Sequence, residues 1–266
     1  MAKIQKKLEQ HQVAKLFPAP DAAALDALRK LKIFSKHFNR SEEIMRNKKK
    51  GVIYESNLDK RNVRVTAKSF LKAELYHVNY SNSKFLQVSF KNAHIKFSAF
   101  YSASFSKVDF SGANLRGSNF TSAHFTDVIF SNTNLDKANF SDAHFTNVYF
   151  LCTNTERAKN FPSDKTGIIF LSKAPAESEF SEDLLTVADK ANTNEIIRAS
   201  HVLYGKGKRN TLALKILSEA FSEEELIKRL LLATSKASSP ITNIWDFQKY
   251  LAQFTIEPNS DNNPNA

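Results

Sequence analysis

Written in fives from Ala73, the chain places a large apolar side chain at the third position of sixteen consecutive units, Leu75 through Phe150, before Thr155 breaks the series. At an apolar frequency of 42%, chance produces such a run roughly once in a million. The first position of all seventeen units from Ala73 to Thr153 is Ala, Val, Ser or Thr. A period of five fits neither a helix nor a plain strand, whose side-chain periods are about 3.6 and 2. It fits a chain that turns a corner after every five residues, with the first and third positions pointing inward as alternate residues of a short strand do. Four such sides close a square coil of twenty residues, and coils stack through backbone hydrogen bonds at about 4.8 Å.

The twenty-residue coil is testable within the sequence, because residues twenty apart should share a face. Val88, Val108, Val128 and Val148 share one small position, and Phe90, Phe110, Phe130 and Phe150 lie beside them. A second face carries Leu75, Ile95, Leu115 and Leu135, with no Phe. The other two carry Tyr80, Phe100, Phe120 and Phe140, and Phe85, Phe105, Phe125 and Phe145. A five-residue repeat alone would not require this alternation.

Ala113-Asn114-Leu115-Arg116-Gly117 and Ala138-Asn139-Phe140-Ser141-Asp142 follow the unit A-(D/N)-L/F-x-x, and with them the sequence resembles the pentapeptide-repeat family. The resemblance covers residues 73–157, about a third of the chain. It implies a right-handed quadrilateral β-helix of about four coils, and with the flanks read from their own residues the chain is expected to be a mainly β solenoid with α flanks, N-terminal helices and a C-terminal helical bundle. Stacked Asn114, Asn134 and Asn154 are expected to bond along an outer face.

Composition agrees with this architecture. Of the 22 Phe, eleven occupy inward positions of the fives. One Cys excludes a disulfide framework or Cys-based zinc site within one chain, and six Gly leave little room for glycine-rich phosphate loops. The expectation is a chain without cofactor. The N-terminus carries charge without a following apolar run, and no stretch of 18 apolar residues occurs, so neither a signal peptide nor a transmembrane segment is expected.

The flanks divide the chain further. Residues 1–50 read as a basic helical region, 51–172 as the β-helix with regular coils over 73–157, 178–255 as a helical bundle and 256–266 as a disordered tail. Residues 52–72 are expected to start the coil with irregular rungs, and residues 167–171 to form a last strand. Helices are expected over 181–192, 194–204 and 210–220, with a capping box at Ser222-Glu223-Glu224-Glu225 and a last helix capped by Thr242 or Asn243. The net charge of +11 is local. Residues 1–72 hold 18 Lys and Arg against 7 Asp and Glu, whereas 73–157 hold 7 against 6 and 158–266 hold 13 against 14.

Several side chains are candidates for binding. Ile129, Tyr149 and Leu151 form an apolar stripe where other units are polar; either a flanking helix or a partner covers it. Arg46, Lys48, Lys49 and Lys50 could meet nucleic acid, an anionic membrane or an acidic protein, or form a solvated cap. His124 and His144 stack one rung apart but lack the further ligands of a metal site. Cys152 lacks a base on its face, and no catalytic motif is visible, so no catalytic residue is assigned.

The reading that follows is a non-catalytic interaction scaffold with a protein partner. The C-terminal bundle, with Gly205-Lys206-Gly207-Lys208 and Ser239–Trp245, looks similar to helical modules of effectors from intracellular bacteria such as Legionella. That likeness implies a bacterial cytoplasmic protein delivered into a host cell and engaging a host protein. Some pentapeptide-repeat proteins inhibit type II topoisomerase by mimicking DNA with an acidic rod. Here the repeat is near neutral, which removes the electrostatic basis of that alternative.

Overall fold

The computed structural model describes residues 52–205 and 207–256. The basic segment containing Arg46, Lys48, Lys49 and Lys50, and the tail beyond Ile256, lie outside the described residues.

Nine strands follow in chain order: β1 Tyr54–Ser56, β2 Arg64–Thr66, β3 Glu74–Tyr76, β4 Lys84–Leu86, β5 His94–Lys96, β6 Ser104–Asp109, β7 His124–Ser131, β8 His144–Leu151 and β9 Ile168–Leu171. Strands β1, β3 and β5 form one parallel sheet, and β2, β4, β6, β7, β8 and β9 another. Every pairing is offset by twenty residues: Leu75 faces Ile95, Phe85 faces Phe105, and Val148 faces Ile168. Isolated bridges such as Asn79 to Ala99 and Asn119 to Asn139 complete a side without long strands. The result is a four-sided β-solenoid of roughly six turns. We number its faces by their inward residues: first Leu75 and Ile95, second Tyr80 and Phe100, third Phe85 and Phe105, fourth Phe90 and Phe110.

The corners explain the period of five. From Asn57 to Cys152 every fifth residue has a positive φ, between 47° and 69°, which turns the chain by one side. Only two of these corners, Gly112 and Gly117, are glycine. Eight others are Asn or Asp, which tolerate the left-handed region best among L-residues, and the remaining ten, such as Lys72 and Phe97, are held there by the lattice. The Asn or Asp of the unit's second position prepares the turn. Asn114 Oδ1 accepts from the Arg116 amide at 3.2 Å, Asn134 from Asp136 at 3.0 Å and Asn154 from Glu156 at 2.8 Å. These side chains therefore make local Asx turns, which corrects the expected ladder among Asn114, Asn134 and Asn154. Amide-to-amide contact occurs on the second face instead, where Asn160 Nδ2 donates to Asn139 Oδ1 at 2.9 Å.

Inside, the aromatic columns stack at rung spacing. Phe85, Phe105 and Phe125 have successive centroid distances of 5.1 and 5.0 Å and are nearly parallel. Phe90, Phe110, Phe130 and Phe150 repeat the arrangement on the fourth face. Adjacent columns meet edge-on, as for Phe105 against Phe110 at 5.5 Å, so each ring has both favourable aromatic geometries. Ser and Thr at the small inward position stitch coils together. Ser118 Oγ donates to the Ile95 carbonyl at 2.6 Å and Thr133 Oγ1 to that of Phe110 at 3.0 Å.

The sequence places about four regular coils within a β-helix spanning 51–172, and strands β1, β2 and β9 extend the stack over those ends, with residues 53–72 forming a full coil where irregular rungs were expected. The first coil has full corners, and Val65 and Phe70 fill two of its inward third positions, but Glu55 and Lys60 fill the other two, so the apolar series is broken there. They pair at 2.5 Å, and the Tyr80 hydroxyl donates to Glu55 at 2.6 Å, closing this end with polar groups. Burial, then the Glu55 carboxylate, pushes the Tyr80 pKa well above its ordinary value. The far end is closed by one ring: Phe161 packs on Phe140, Phe145 and Phe150 at 5.4 to 5.7 Å.

Five helices follow: α1 Glu182–Ala191, α2 Glu195–Ser200, α3 Thr211–Ala220, α4 Glu223–Lys236 and α5 Ile244–Ala252. Ser181, Asn194, Asn210, Ser222 and Asn243 cap their N-termini with side-chain oxygens, and Ser222 with Glu225 forms the capping box. Helix α2 stops sooner than the pattern to 204 suggests, because His201 enters the left-handed region. Strand β10 Tyr204–Gly205 then pairs antiparallel with β11 Lys208–Arg209. Arg209 ties this strand pair down, gripping Asp189 with two nitrogens at 2.7 and 2.6 Å and reaching Glu177 at 2.6 Å. The Tyr204 hydroxyl donates to the same Asp189.

Candidate functional site: the faces of the solenoid

The fourth face is covered by the helices. Ile129, Tyr149 and Leu151 are buried in one apolar cluster with Leu184, Leu203, Leu217, Trp245 and Phe247. Of the two coverings weighed from sequence, the structure holds the intramolecular one. The stripe is therefore not an open partner surface, which corrects its candidacy for partner binding. The physical reason is the outward second position: Ile129, Tyr149 and Ile169 succeed one another there in register, and their burial stabilises the docked helices.

Polar contacts fix the register of that docking. Asn243, fully buried, caps α5 through Oδ1 on the Asp246 amide at 3.0 Å. Its Nδ2 donates outward to the carbonyls of Lys107 at 2.8 Å and Val88 at 3.3 Å. Thr242 Oγ1 donates to the Gln87 carbonyl at 3.1 Å. Lys91 is buried between Asp109 at 3.3 Å and the His201 carbonyl at 3.2 Å. Farther along, the Tyr149 hydroxyl donates to Glu219 at 2.8 Å. Burial and then that carboxylate raise the Tyr149 pKa well above the ordinary phenol value.

The third face is exposed. Its outward second positions form one column: Arg64, Lys84, Ser104, His124 and His144. The fourth positions form a parallel column of Thr66, Leu86, Ser106, Thr126 and Thr146. His124 and His144 stack with centroids 4.9 Å apart. Neither column contains a carboxylate. On the adjoining corner stand Lys107 and Asp127, the latter accepting from Asn147 at 2.7 Å. Among the described residues, no group of three or more His, Cys, Asp or Glu could hold a metal ion. Cys152 is exposed at a corner and donates to the Ser172 carbonyl at 3.2 Å. No helix of the described residues is long and apolar enough to cross a membrane.

Sequence reasoning found the stacked histidines but not the column they belong to. Arg64 lies in the first coil, whose rungs were expected to be irregular; its distance of twenty from Lys84 was the available signal. It also missed Asn243, Lys91 and Asp109 as docking residues. Asp109 could have been noticed, because it shares an outward column with Ile129 and Tyr149.

Residues 83–161 match the family described as the pentapeptide repeat region. They are a pentapeptide-repeat solenoid. Among solved structures, a pentapeptide repeat protein from the Arabidopsis thaliana thylakoid lumen is 20% identical, with a TM-score of 0.29 over 59% of this chain and 88% of that one. QnrB1, a plasmid-mediated fluoroquinolone resistance protein, is 11% identical, with a TM-score of 0.27 over 47% and 95%. HetL, a pentapeptide repeat protein involved in heterocyst differentiation regulation in the cyanobacterium Nostoc, is 12% identical, with a TM-score of 0.20 over 51% and 98%. No curated protein matches the chain.

Proposed function

We propose that the chain is a non-catalytic interaction scaffold whose pentapeptide-repeat solenoid presents its third face to a protein partner. One observation carries this reading: two neighbouring faces share a backbone lattice, yet one is covered by helices and the other stands exposed. Five stacked strands hold the backbone of the third face and the spacing of its columns fixed, so little backbone freedom remains to be lost on binding. The exposed column is cationic where charged, which runs against mimicry of DNA. In its finer form the proposal is an effector that engages a host protein, supported by the likeness of the helical module to those of bacterial effectors.

Site-specific photocrosslinking tests the scaffold. A crosslinker at Thr126 on the third face should capture a discrete partner, and one at Ser141 on the second face should not. Equal capture from both positions would overturn the reading. A translocation reporter fused to the chain tests the finer form; signal confined to the bacterium would refute delivery without touching the scaffold.

A further inference from the structure

The fourth face shows how this lattice receives a helix. Helix α3 has ten residues, about 15 Å of length. The segment preceding it is tied to the rung of Lys91 through the His201 carbonyl, and Asn210 bonds the Val202 carbonyl at 3.0 Å. Near its other end, Glu219 meets Tyr149. Residues 89 and 149 are three rungs apart, about 14 Å. The length of α3 is therefore close to that of the three rungs between those two contacts. The match has a general cause: a helix turns every 5.4 Å or so and rungs repeat at about 4.8 Å, so each turn meets roughly one rung.

The third face has the same rung repeat with different chemistry. Arg64 and Lys84 lie at one end of its column and two imidazoles at the other, with hydroxyls of Ser104, Ser106, Thr126 and Thr146 between and beside them. Leu86 is a large apolar group exposed on it. From Arg64 to His144 there are four intervals, about 19 Å, against about 22 Å for four helical turns. The mismatch of about 3 Å lies within the reach of Arg and Lys side chains.

We infer that the third face is a docking lattice for an acidic amphipathic helix of a partner protein, laid along the solenoid axis. The inference rests on the scaffold reading and names its partner chemistry. Glu or Asp at every third or fourth position of the helix places one carboxylate per turn over the Arg64–His144 column. Hydroxyls of the second column receive polar groups at the helix flank, and Leu86 takes an apolar residue. A polyanion without helical pitch would find the same charges but not the matched repeat.

The test uses the full chain and synthetic peptides of about 22 residues, long enough for six turns. One carries Glu in a single stripe at i, i+4, i+7 and i+11; the second has the same composition scattered around the helix. The striped peptide should bind, and the scattered one should bind about tenfold more weakly. Arg64→Glu with Lys84→Glu should weaken the striped peptide by about tenfold or more, whereas Lys159→Glu on the second face should leave it unchanged. Circular dichroism melts of each variant confirm folding, since all three positions are exposed. Equal binding of both peptides would overturn the inference. So would an oligothymidylate or phosphatidylserine vesicles binding more tightly and losing affinity in the same double variant. If crosslinking from Thr126 captures a protein but the striped peptide fails, the scaffold stands and the acidic-helix partner falls.

Discussion

Replacing Asn243 by Ala should undock the helical module from the solenoid while leaving the solenoid folded. The side chain has two separable tasks. Its oxygen caps α5, and losing a cap costs about 1 kcal/mol. Its amide nitrogen serves the carbonyls of Lys107 and Val88 in a fully buried seam. Leaving buried acceptors without that donor costs about 1–3 kcal/mol more. The sum of about 2–4 kcal/mol falls on local opening of the module, so amide exchange in α5 should accelerate about 30- to 1,000-fold. Exchange in β7 and β8, sealed by the aromatic columns, should change far less. Asn243→Ser separates the tasks: its hydroxyl can cap the helix but is too short for the carbonyls, so it should recover only about 1 kcal/mol. The lone Trp245, buried in the same cluster, provides a fluorescence reading of undocking alongside exchange. Full recovery by Ser, or unchanged α5 exchange in the Ala variant, would refute the assignment of Asn243 as the docking clasp.

Other consequences can be checked directly. Gly167→Ala should destabilise severely in a thermal melt, because φ is +77° and a Cβ would lie 2.3 Å from the Phe145 carbonyl oxygen. Gly112→Ala, whose Cβ meets the movable Asn92 side chain, should cost only about 1–2 kcal/mol. Phe125→Ala should cost about 3–5 kcal/mol in denaturant unfolding, and Phe170→Ala, half-exposed at the solenoid's end, well under half of that. Hydrogen bonds from Arg209 hold the Asp189 pKa below its ordinary value. The stability from that pair is present above pH ~4 and lost as pH falls through the lowered folded value, so an Arg209→Met variant should melt earlier than wild type near pH 6 and converge with it in acid. The raised Tyr149 pKa has the opposite sign. Its contribution is intact below pH ~10 and lost as pH rises toward the folded value, so Trp245 fluorescence should report alkaline undocking that Tyr149→Phe reduces.

The solenoid was legible wherever inward positions were apolar. Leu75 through Phe150 repeat because alternate residues of a short side point into one core and every fifth turns a corner. The same geometry continues before Ala73, but Glu55 and Lys60 fill inward positions at the open end, so burial pattern and backbone pattern part company there. At the other end Phe161 closes the core outside the register of five, and no periodic reading could place it. The helix caps at Ser222 and Asn243 were visible because capping is a local side-chain rule. The docking seam was hidden for a complementary reason: Asn243 and Thr242 bond to the carbonyls of Lys107, Val88 and Gln87, and a carbonyl leaves no trace in residue identity.

What distinguishes the third face from the fourth is the second position of each unit, since backbone and corners are common to both. On the fourth face Ile129, Tyr149 and Ile169 sit in that column, and removing them from water drives the chain's own helices onto it. On the third face Arg64, Lys84, His124 and His144 occupy it, and burying those groups under the apolar side of α3 would cost far more than it returned. The same substitution pattern therefore performs two tasks at once. It steers the helical module to one face during folding, and it keeps the neighbouring lattice available. A partner for that lattice must bring its own counter-charges, because desolvating Arg64 and Lys84 is favourable only when each regains a hydrogen-bonded anion. That requirement excludes a plain apolar helix like α3 and selects an acidic one, so the charge of the column and the repeat of the rungs constrain the partner independently.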